Sequence, residues 1–356
     1  MRDEKGKGKR GKQRPFHSSM FVVHSSGHWP SAIGFLLCYL LPMSDKLLPR
    51  LTNEAEFDTV LRKHELWRPA IESICRRHGL ALDSLSPFAT GSSVIWGCGD
   101  SQVIKLMPPF WARDCHIEVQ VLERLATEPD LPVPRVLGQG EFEGWPYFVM
   151  NRLPGRFCSE FWAGLEPAEQ RAIMRRLGGL IKRLHQVEIA GLDILGSVWP
   201  AFVQGQLEAL PDRMRARGLE PTVSQEWYGL LQEQAPLLAF SRQVLMHCEI
   251  GPEHLLLQQK VDTCEISGLI DFGDPLIGAP EYEFGAVCIT FTAGRPDLRR
   301  ELLMAYGYPE AALNQALSRR LLAAALMHRF GTLPIGLKIM AERGIEQTFA
   351  ECFFSL

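Results

Sequence analysis

Four places in this chain put chemically capable side chains where a folded protein would use them, always in the same order. Lys105 closes the apolar run 103-VIKL-106. An ammonium at the end of such a strand can enter a cleft and pair with phosphate oxygens; on an edge strand it would simply be solvated. Glu118 follows on a helical stretch and can aim that lysine. Glu123 competes for the role, and Glu118 is preferred because the first turns of the helix lie nearer the strand end. The stretch 247-HCEIGPEH-254 turns at Gly251-Pro252. It reads as a loop entering a strand, where catalytic groups usually sit. There His247 is expected to organise the loop by hydrogen bonds, and Glu249 to accept a proton from a substrate hydroxyl. In 268-GLIDFGD-274 an apolar strand ends at Asp271. A carboxylate there is costly unless it meets a cation, and magnesium is its natural partner. Asp271 lies 22 residues after Glu249 (271 − 249), enough for one hairpin to return the chain to the same cleft.

Each signal alone has an ordinary reading: a solvated lysine, an exposed glutamate, a turn before a strand, an aspartate opening a turn. Their order carries more weight than any one of them. The elements that must position them follow from periodicity. Residues 53–79 have helical spacing, with Phe57, Val60, Leu61, Leu66, Ile71, Ile74 and Cys75, and stop at Gly79, a C-cap. Two β-rich arms around Gly-Cys-Gly-Asp make 93–107 a hairpin. The stretch 113–127 is a helix with Ile117, Val121 and Leu125 on one face, and 132–155 is a second hairpin around Glu143-Gly144. Beyond Gly155 the chain reads as mostly helical. A clear amphipathic helix spans 166–188, two strands cover 254–259 and 264–272, and 281–356 is helical and apolar-periodic. The expectation is an α+β, bilobal protein: residues 43–83 an N-terminal helical segment, 84–150 a small β-rich lobe, 151–356 a larger helical lobe. Ligand sites favour the cleft between such lobes.

With 356 residues, 46% of them hydrophobic, the chain has ample material for a core, and a formal net charge of −3 gives no reason to expect a nucleic-acid partner. The nine cysteines include no C-x-x-C pair, which argues against structural zinc and suits reduced thiols in a cytoplasmic protein. Residues 1–42 read as a disordered or upstream extension. Its first fourteen residues are mostly basic or glycine, the one feature that would suit nucleic acid. Its apolar run 32–42 is too short to span a bilayer, so no stable membrane association is expected. Gly6 to Lys12 matches the start of a phosphate-binding loop, but Gln13 replaces the Ser or Thr and no strand precedes it. The chain is expected to be a monomer or a homodimer.

Taken together, 90-TGSSVIWGCGDSQVIKL-106, 146-PYFVMNRLPG-155, 177-LGGLIKRLH-185, the 247–254 loop and 269-LIDFGDPLIGAPEYEF-284 resemble the aminoglycoside phosphotransferase family. These are relatives of choline kinase built on the protein-kinase-like fold. The resemblance spans roughly 84–335 and implies ATP and Mg²⁺ as cofactors and a small-molecule hydroxyl as acceptor. It implies that Gly91, Ser92 and Ser93 lie over the phosphates, that Lys105 contacts them while held by Glu118, and that Val149, Met150 and Asn151 form a hinge against the adenine. It further implies that Asp271 binds the metal. The family loop reads H-x-D-x-x-x-x-N. Here Glu249 replaces the Asp that deprotonates the acceptor, and His254 replaces the metal-binding Asn. Imidazole suits softer ions than magnesium, so Mn²⁺ is a second candidate. Two readings follow: an active small-molecule kinase, and a nucleotide-binding pseudokinase that acts through partners.

Overall fold

The computed structural model describes residues 46–196, 199–216, 221–261 and 263–356. The basic stretch, the phosphate-loop match and the apolar run before residue 43 lie outside them. Helices α1 (Glu54–Val60) and α2 (His64–His78) lead into β1 (Leu85–Pro87), β2 (Val94–Cys98) and β3 (Gln102–Leu106). Helix α3 (Ala112–Leu125), β4 (Val136–Phe142) and β5 (Trp145–Asn151) complete an antiparallel sheet of order β1-β2-β3-β5-β4. The single helix expected over 53–79 is two. The Trp67 indole N–H donates to the Leu61 carbonyl, capturing an acceptor that a continuous helix would need. The β4–β5 turn has positive φ at Glu143 (52°) and Gly144 (88°), as a tight hairpin requires.

Strand alternation decides which way Lys105 points. Trp96, Ile104, Leu106, Tyr147 and Val149 pack with Trp67, Ile71, Ile74 and Cys75 in one apolar cluster on the α2 side. Lys105 is one residue out of phase with Ile104 and Leu106, so it leaves by the opposite face. There its cross-strand neighbours are Ile95 and Phe148. Phe148 belongs to a second cluster, shared with Ile117, Val121 and Leu125 of α3 and with the remainder of the chain. A fully buried large apolar side chain contributes about 1.5–3 kcal/mol, so this phase is strongly specified.

After β6 (Arg156–Phe157) come α4 (Pro167–Leu184), α5 (Trp199–Ala216) and α6 (Pro221–Ala239). Then β7 (Val244–Met246), β8 (Leu255–Gln259), β9 (Cys264–Leu269) and β10 (Leu276–Gly278) precede α7 (Glu281–Thr292), α8 (Pro296–Tyr306), α9 (Gln315–Leu326), α10 (Thr332–Arg343) and α11 (Phe349–Phe354). Strands β8 and β9 form the expected hairpin. The β7–β10 ladder, pairing Met246 with Leu276 and Val244 with Gly278, was not anticipated. It matters for the site. The loop 247–253 runs from β7 to β8, and the segment 270–275 runs from β9 to β10. Because β7 pairs β10 and β8 pairs β9, the two loops are clamped side by side at both ends.

Candidate active site

Lys105 and Asp271 are 166 residues apart in sequence and meet at 2.7 Å, Nζ to Oδ1. The same ammonium takes both oxygens of Glu118, at 3.0 and 2.7 Å. Lys105 and Glu118 are buried, whereas the Asp271 side chain stays 28% exposed. Burial alone would depress the lysine, but Asp271 and Glu118 outweigh it and keep the ammonium charged. Burial likewise opposes ionisation of Asp271, yet Lys105 and then His254 hold it well below the usual carboxylate range. Glu118, fully enclosed, is pushed up to about 7 by burial against the pull of Lys105. The competing Glu123 instead accepts from the Gln139 amide and takes no part.

The 247–254 loop is held by a network mostly out of reach of solvent. The His247 ring is fully buried; its Nε2 donates to the Ile270 carbonyl at 2.9 Å and its Nδ1 accepts from the Glu249 N–H at 3.2 Å. Burial and the neighbouring His254 lower its pKa to about 4, so the ring is neutral, as these two bonds require. His247 therefore positions the loop, and through Ile270 it ties Glu249 to the residue before Asp271. Glu283, on α7, is a residue of this site that its local sequence pattern does not single out. Its carboxylate is fully buried and accepts from the main-chain N–H of His247 (2.7 Å) and Cys248 (2.9 Å), with His185 Nε2 at 3.5 Å. Cys248 and Asp271 both have positive φ, 72° and 70°. Non-glycine residues persist in that region only where surroundings over-determine them. Here Glu283 fixes one, and the Lys105 pair with His254 nearby fixes the other.

Glu249 is half-buried at the turn of this loop. Burial, with Asp274 adding to it, raises its carboxyl to about 7. His254 donates Nδ1–H to the Glu249 carbonyl at 2.5 Å and turns Nε2 toward Asp271 Oδ2, at 3.9 Å. Burial would lower the His254 pKa, but Asp271, Glu253 and Glu249 together raise it. Imidazole suits softer ions than magnesium, and the His254 Nδ1 is already bonded to the Glu249 carbonyl, so the hard oxygen donor here is Asp271. Among the described residues no group of three His, Cys, Asp or Glu forms a cage. That donor set fits magnesium, which takes one or two carboxylates and fills its shell from phosphates and water. Gly273 leaves room beside it: a Cβ there would sit 3.5 Å from Asp271 Oδ1 and 3.6 Å from Glu118 Oε2.

The other sequence-predicted residues fall as follows. Gly91, Ser92 and Ser93 form the turn between β1 and β2; Gly91 has φ 105°, its carbonyl accepts from Arg62 at 2.7 Å, and Ser93 is buried. Val149, Met150 and Asn151 lie inside β5, which pairs with β3 on one edge and β4 on the other. The Asn151 N–H donates to the Arg135 carbonyl and its Oδ1 accepts from the Arg135 N–H. The Arg152 N–H then donates to the Ser101 carbonyl. Sheet pairing thus occupies much of the main chain assigned to the hinge. Near the loop, Glu281 is buried and paired with Arg320 at 3.1 Å, and the Asp274 main-chain carbonyl accepts from Arg329.

The model of the phosphotransferase enzyme family matches residues 84–317. Three solved structures share the fold. The GDP and kanamycin complex of APH(2")-IIia has a TM-score of 0.62 at 16% identity, covering 78% of this chain and 95% of that one. The GDP complex of wild-type aminoglycoside 2'-phosphotransferase-IIIa has 0.60 at 14%, covering 84% and 95%. The macrolide 2'-phosphotransferase MphH from Brachybacterium faecium, as apoenzyme, has 0.52 at 20%, covering 80% and 97%. No curated protein matches the chain. At these identities the structural likeness speaks for the fold, α+β and protein-kinase-like, with a β-rich small lobe and a helical large one.

Proposed function

This chain belongs to the phosphotransferase enzyme family, and from that premise we propose that it moves the γ-phosphate of ATP to a hydroxyl of a small molecule. The observation that carries the proposal is the convergence of Lys105, Glu118 and Asp271 beside the loop bearing Glu249. In this reading the Lys105 ammonium grips phosphate oxygens and Glu118 keeps it aimed. Asp271, whose carboxylate keeps an exposed edge, would hold Mg²⁺, and the ion would supply positive charge to offset that developing on the phosphates. Glu249 takes the proton of the acceptor hydroxyl as the new O–P bond forms and the bond to the departing diphosphate breaks. Its carboxyl, raised to about 7, is well matched to that task, because a general base works best with a pKa near the operating pH. His254 sits between Glu249 and Asp271, its Nδ1 bonded to the Glu249 carbonyl and its Nε2 turned toward the Asp271 carboxylate. Buried, reduced thiols are in keeping with a cytoplasmic enzyme, and among the described residues no helix is long and apolar enough to cross a membrane.

One observation favours a second reading. Glu249 and His254 both depart from the family loop, and Asp271 is bonded directly to Lys105. A nucleotide-binding pseudokinase would keep the grip and lose the transfer. The experiment is ATP-dependent phosphorylation across a panel of aminoglycosides, amino sugars, amino alcohols and hydroxy acids, read by mass spectrometry, with Glu249→Ala and Asp271→Ala as controls. Transfer by the wild type that both substitutions abolish supports the kinase. Nucleotide-dependent thermal stabilisation with no transfer to any acceptor supports the pseudokinase. Equal turnover in all three proteins refutes the site.

A further inference from the structure

The family match begins at residue 84, and α1 and α2 lie before it, packed on the face of the sheet opposite Lys105. Several bonds pin this segment to β4, β5 and the turn between them. The Glu143 carboxylate accepts from the main-chain N–H of Leu47 at 3.0 Å and of Leu48 at 2.9 Å. Arg77 donates to the Glu141 carbonyl at 2.8 Å, and His78 Nε2 meets the Tyr147 hydroxyl at 3.1 Å. The corner between α1 and α2 is fixed as well. Leu61 is buried there with its carbonyl taken by the Trp67 indole, and the rings of Phe57, Trp67 and Trp145 pack against one another.

Arg62 is the next residue of that corner, and its Nη2 donates to the Gly91 carbonyl at 2.7 Å. Gly91 belongs to the turn between β1 and β2, the one that lies over the nucleotide phosphates in the proposed function. Its φ of 105° favours glycine, and a Cβ there would sit 3.0 Å from Ile95 Cδ1. A trans peptide points its C=O and its N–H in opposite directions, and among the described residues no peptide is cis. A Gly91 carbonyl held toward the α1–α2 side therefore turns the Ser92 N–H the other way, toward the face that carries Lys105. Main-chain N–H groups aimed into such a turn are ready donors for phosphate oxygens.

We propose that Arg62 is a positioning residue for the nucleotide: it holds the Gly91 carbonyl on the α1–α2 side and so keeps the Ser92 N–H turned to the phosphates that Lys105 grips. The helical segment 46–79 is then a working part of the nucleotide site, although it lies outside the family match. The inference rests on the nucleotide grip of Lys105 and Asp271, which the kinase and pseudokinase readings share. The test therefore needs no acceptor. The full chain with Mg²⁺ is titrated with ATP, ADP and adenosine by calorimetry, as wild type, Arg62→Ala, Arg77→Ala and Lys105→Met. Arg77 is the control because it makes the same kind of bond, guanidinium to main-chain carbonyl, to β4 and not to the turn. Amide hydrogen exchange across residues 89–93, with and without ATP, reports on the Ser92 N–H itself.

Arg62→Ala should weaken ATP and ADP about 5- to 10-fold, the loss of one hydrogen bond from a charged donor open to water, and leave adenosine unchanged. Arg77→Ala should bind all three as the wild type does. ATP should slow exchange at Ser92 in the wild type and do so less in Arg62→Ala. The unfolding temperature of nucleotide-free Arg62→Ala should stay near that of the wild type, as for other surface substitutions. Unchanged ATP affinity in Arg62→Ala overturns the inference, as does ATP binding that leaves Ser92 exchange unchanged in the wild type. An equal loss for adenosine, or an equal loss of ATP affinity in Arg77→Ala, also overturns it, because either would mean a general loosening of the small lobe. ATP binding weakened in Lys105→Met but intact in Arg62→Ala would leave the nucleotide site standing and this inference refuted. A wild type that binds no ATP would count against both.

Discussion

Replacing Glu283 with glutamine tests whether a buried carboxylate sets the reactive loop. The substitution preserves volume but offers one acceptor where the structure uses two, for the N–H groups of His247 at 2.7 Å and Cys248 at 2.9 Å. A hydrogen bond to a charged acceptor contributes about 1.5–3 kcal/mol. Losing one and weakening the other should therefore destabilise the protein by about 3 kcal/mol. Cys248, held at φ 72° by this bond, is then free to relax, and Glu249 follows it in sequence. Misplacement of a reacting group by 1 Å lowers rates about 10²-fold. The expected outcome is a large fall in kcat with little change in nucleotide affinity, since Lys105 and Asp271 do not touch Glu283. The pH dependence has a definite sign. Burial opposes ionisation of Glu283, but His185, His247 and the loop N–H groups outweigh it and lower its pKa below the ordinary 4.5. Its contribution is therefore complete above pH 4.5 and disappears as the pH falls through the folded value. Urea unfolding of both proteins at neutral and acid pH, paired with turnover, measures all of this. A stability loss under about 0.5 kcal/mol together with an unchanged kcat would refute the reasoning.

Two further outcomes are expected. The kcat/KM profile should rise with pH through an inflexion near 7 and level off above it, because Glu249 must be ionised to take the acceptor proton and burial holds it at about 7; a flat profile from pH 5 to 9 would remove Glu249 as the base. Gly178→Ala should destabilise the large lobe by about 1–3 kcal/mol, since its Cβ would lie 2.2 Å from the Leu302 carbonyl where α4 and α8 touch; an unchanged unfolding midpoint would show that the helices part freely.

What was legible in the sequence was what neighbouring residues encode. The phase of 103-VIKL-106 sent Lys105 away from the α2 side, and the short path from β3 into α3 made Glu118 the reachable partner. The turn at Gly251-Pro252 and the strand ending at Asp271 marked the two loops. What stayed hidden depends on distant contacts. Strands β7 and β10 have three residues each, too few for an alternation to register, yet their pairing sets the two loops side by side. The indole of Trp67 divides α1 from α2 through a bond no helical period reveals. Glu283 reads as an ordinary first-turn acid, and only the approach of α7 to the loop gives its carboxylate two main-chain donors.

The most direct test of the site is phosphate transfer by four single variants assayed with one acceptor under identical conditions. Lys105→Met, Glu249→Gln and Asp271→Asn should each lower kcat/KM by about 10²-fold or more, as expected for groups acting in a single transition state. Glu123→Gln, which leaves the Lys105 cluster untouched, should match the wild type. Wild-type turnover in Lys105→Met or Asp271→Asn would contradict the account, because it would mean that the buried cluster joining the two lobes has no part in the reaction.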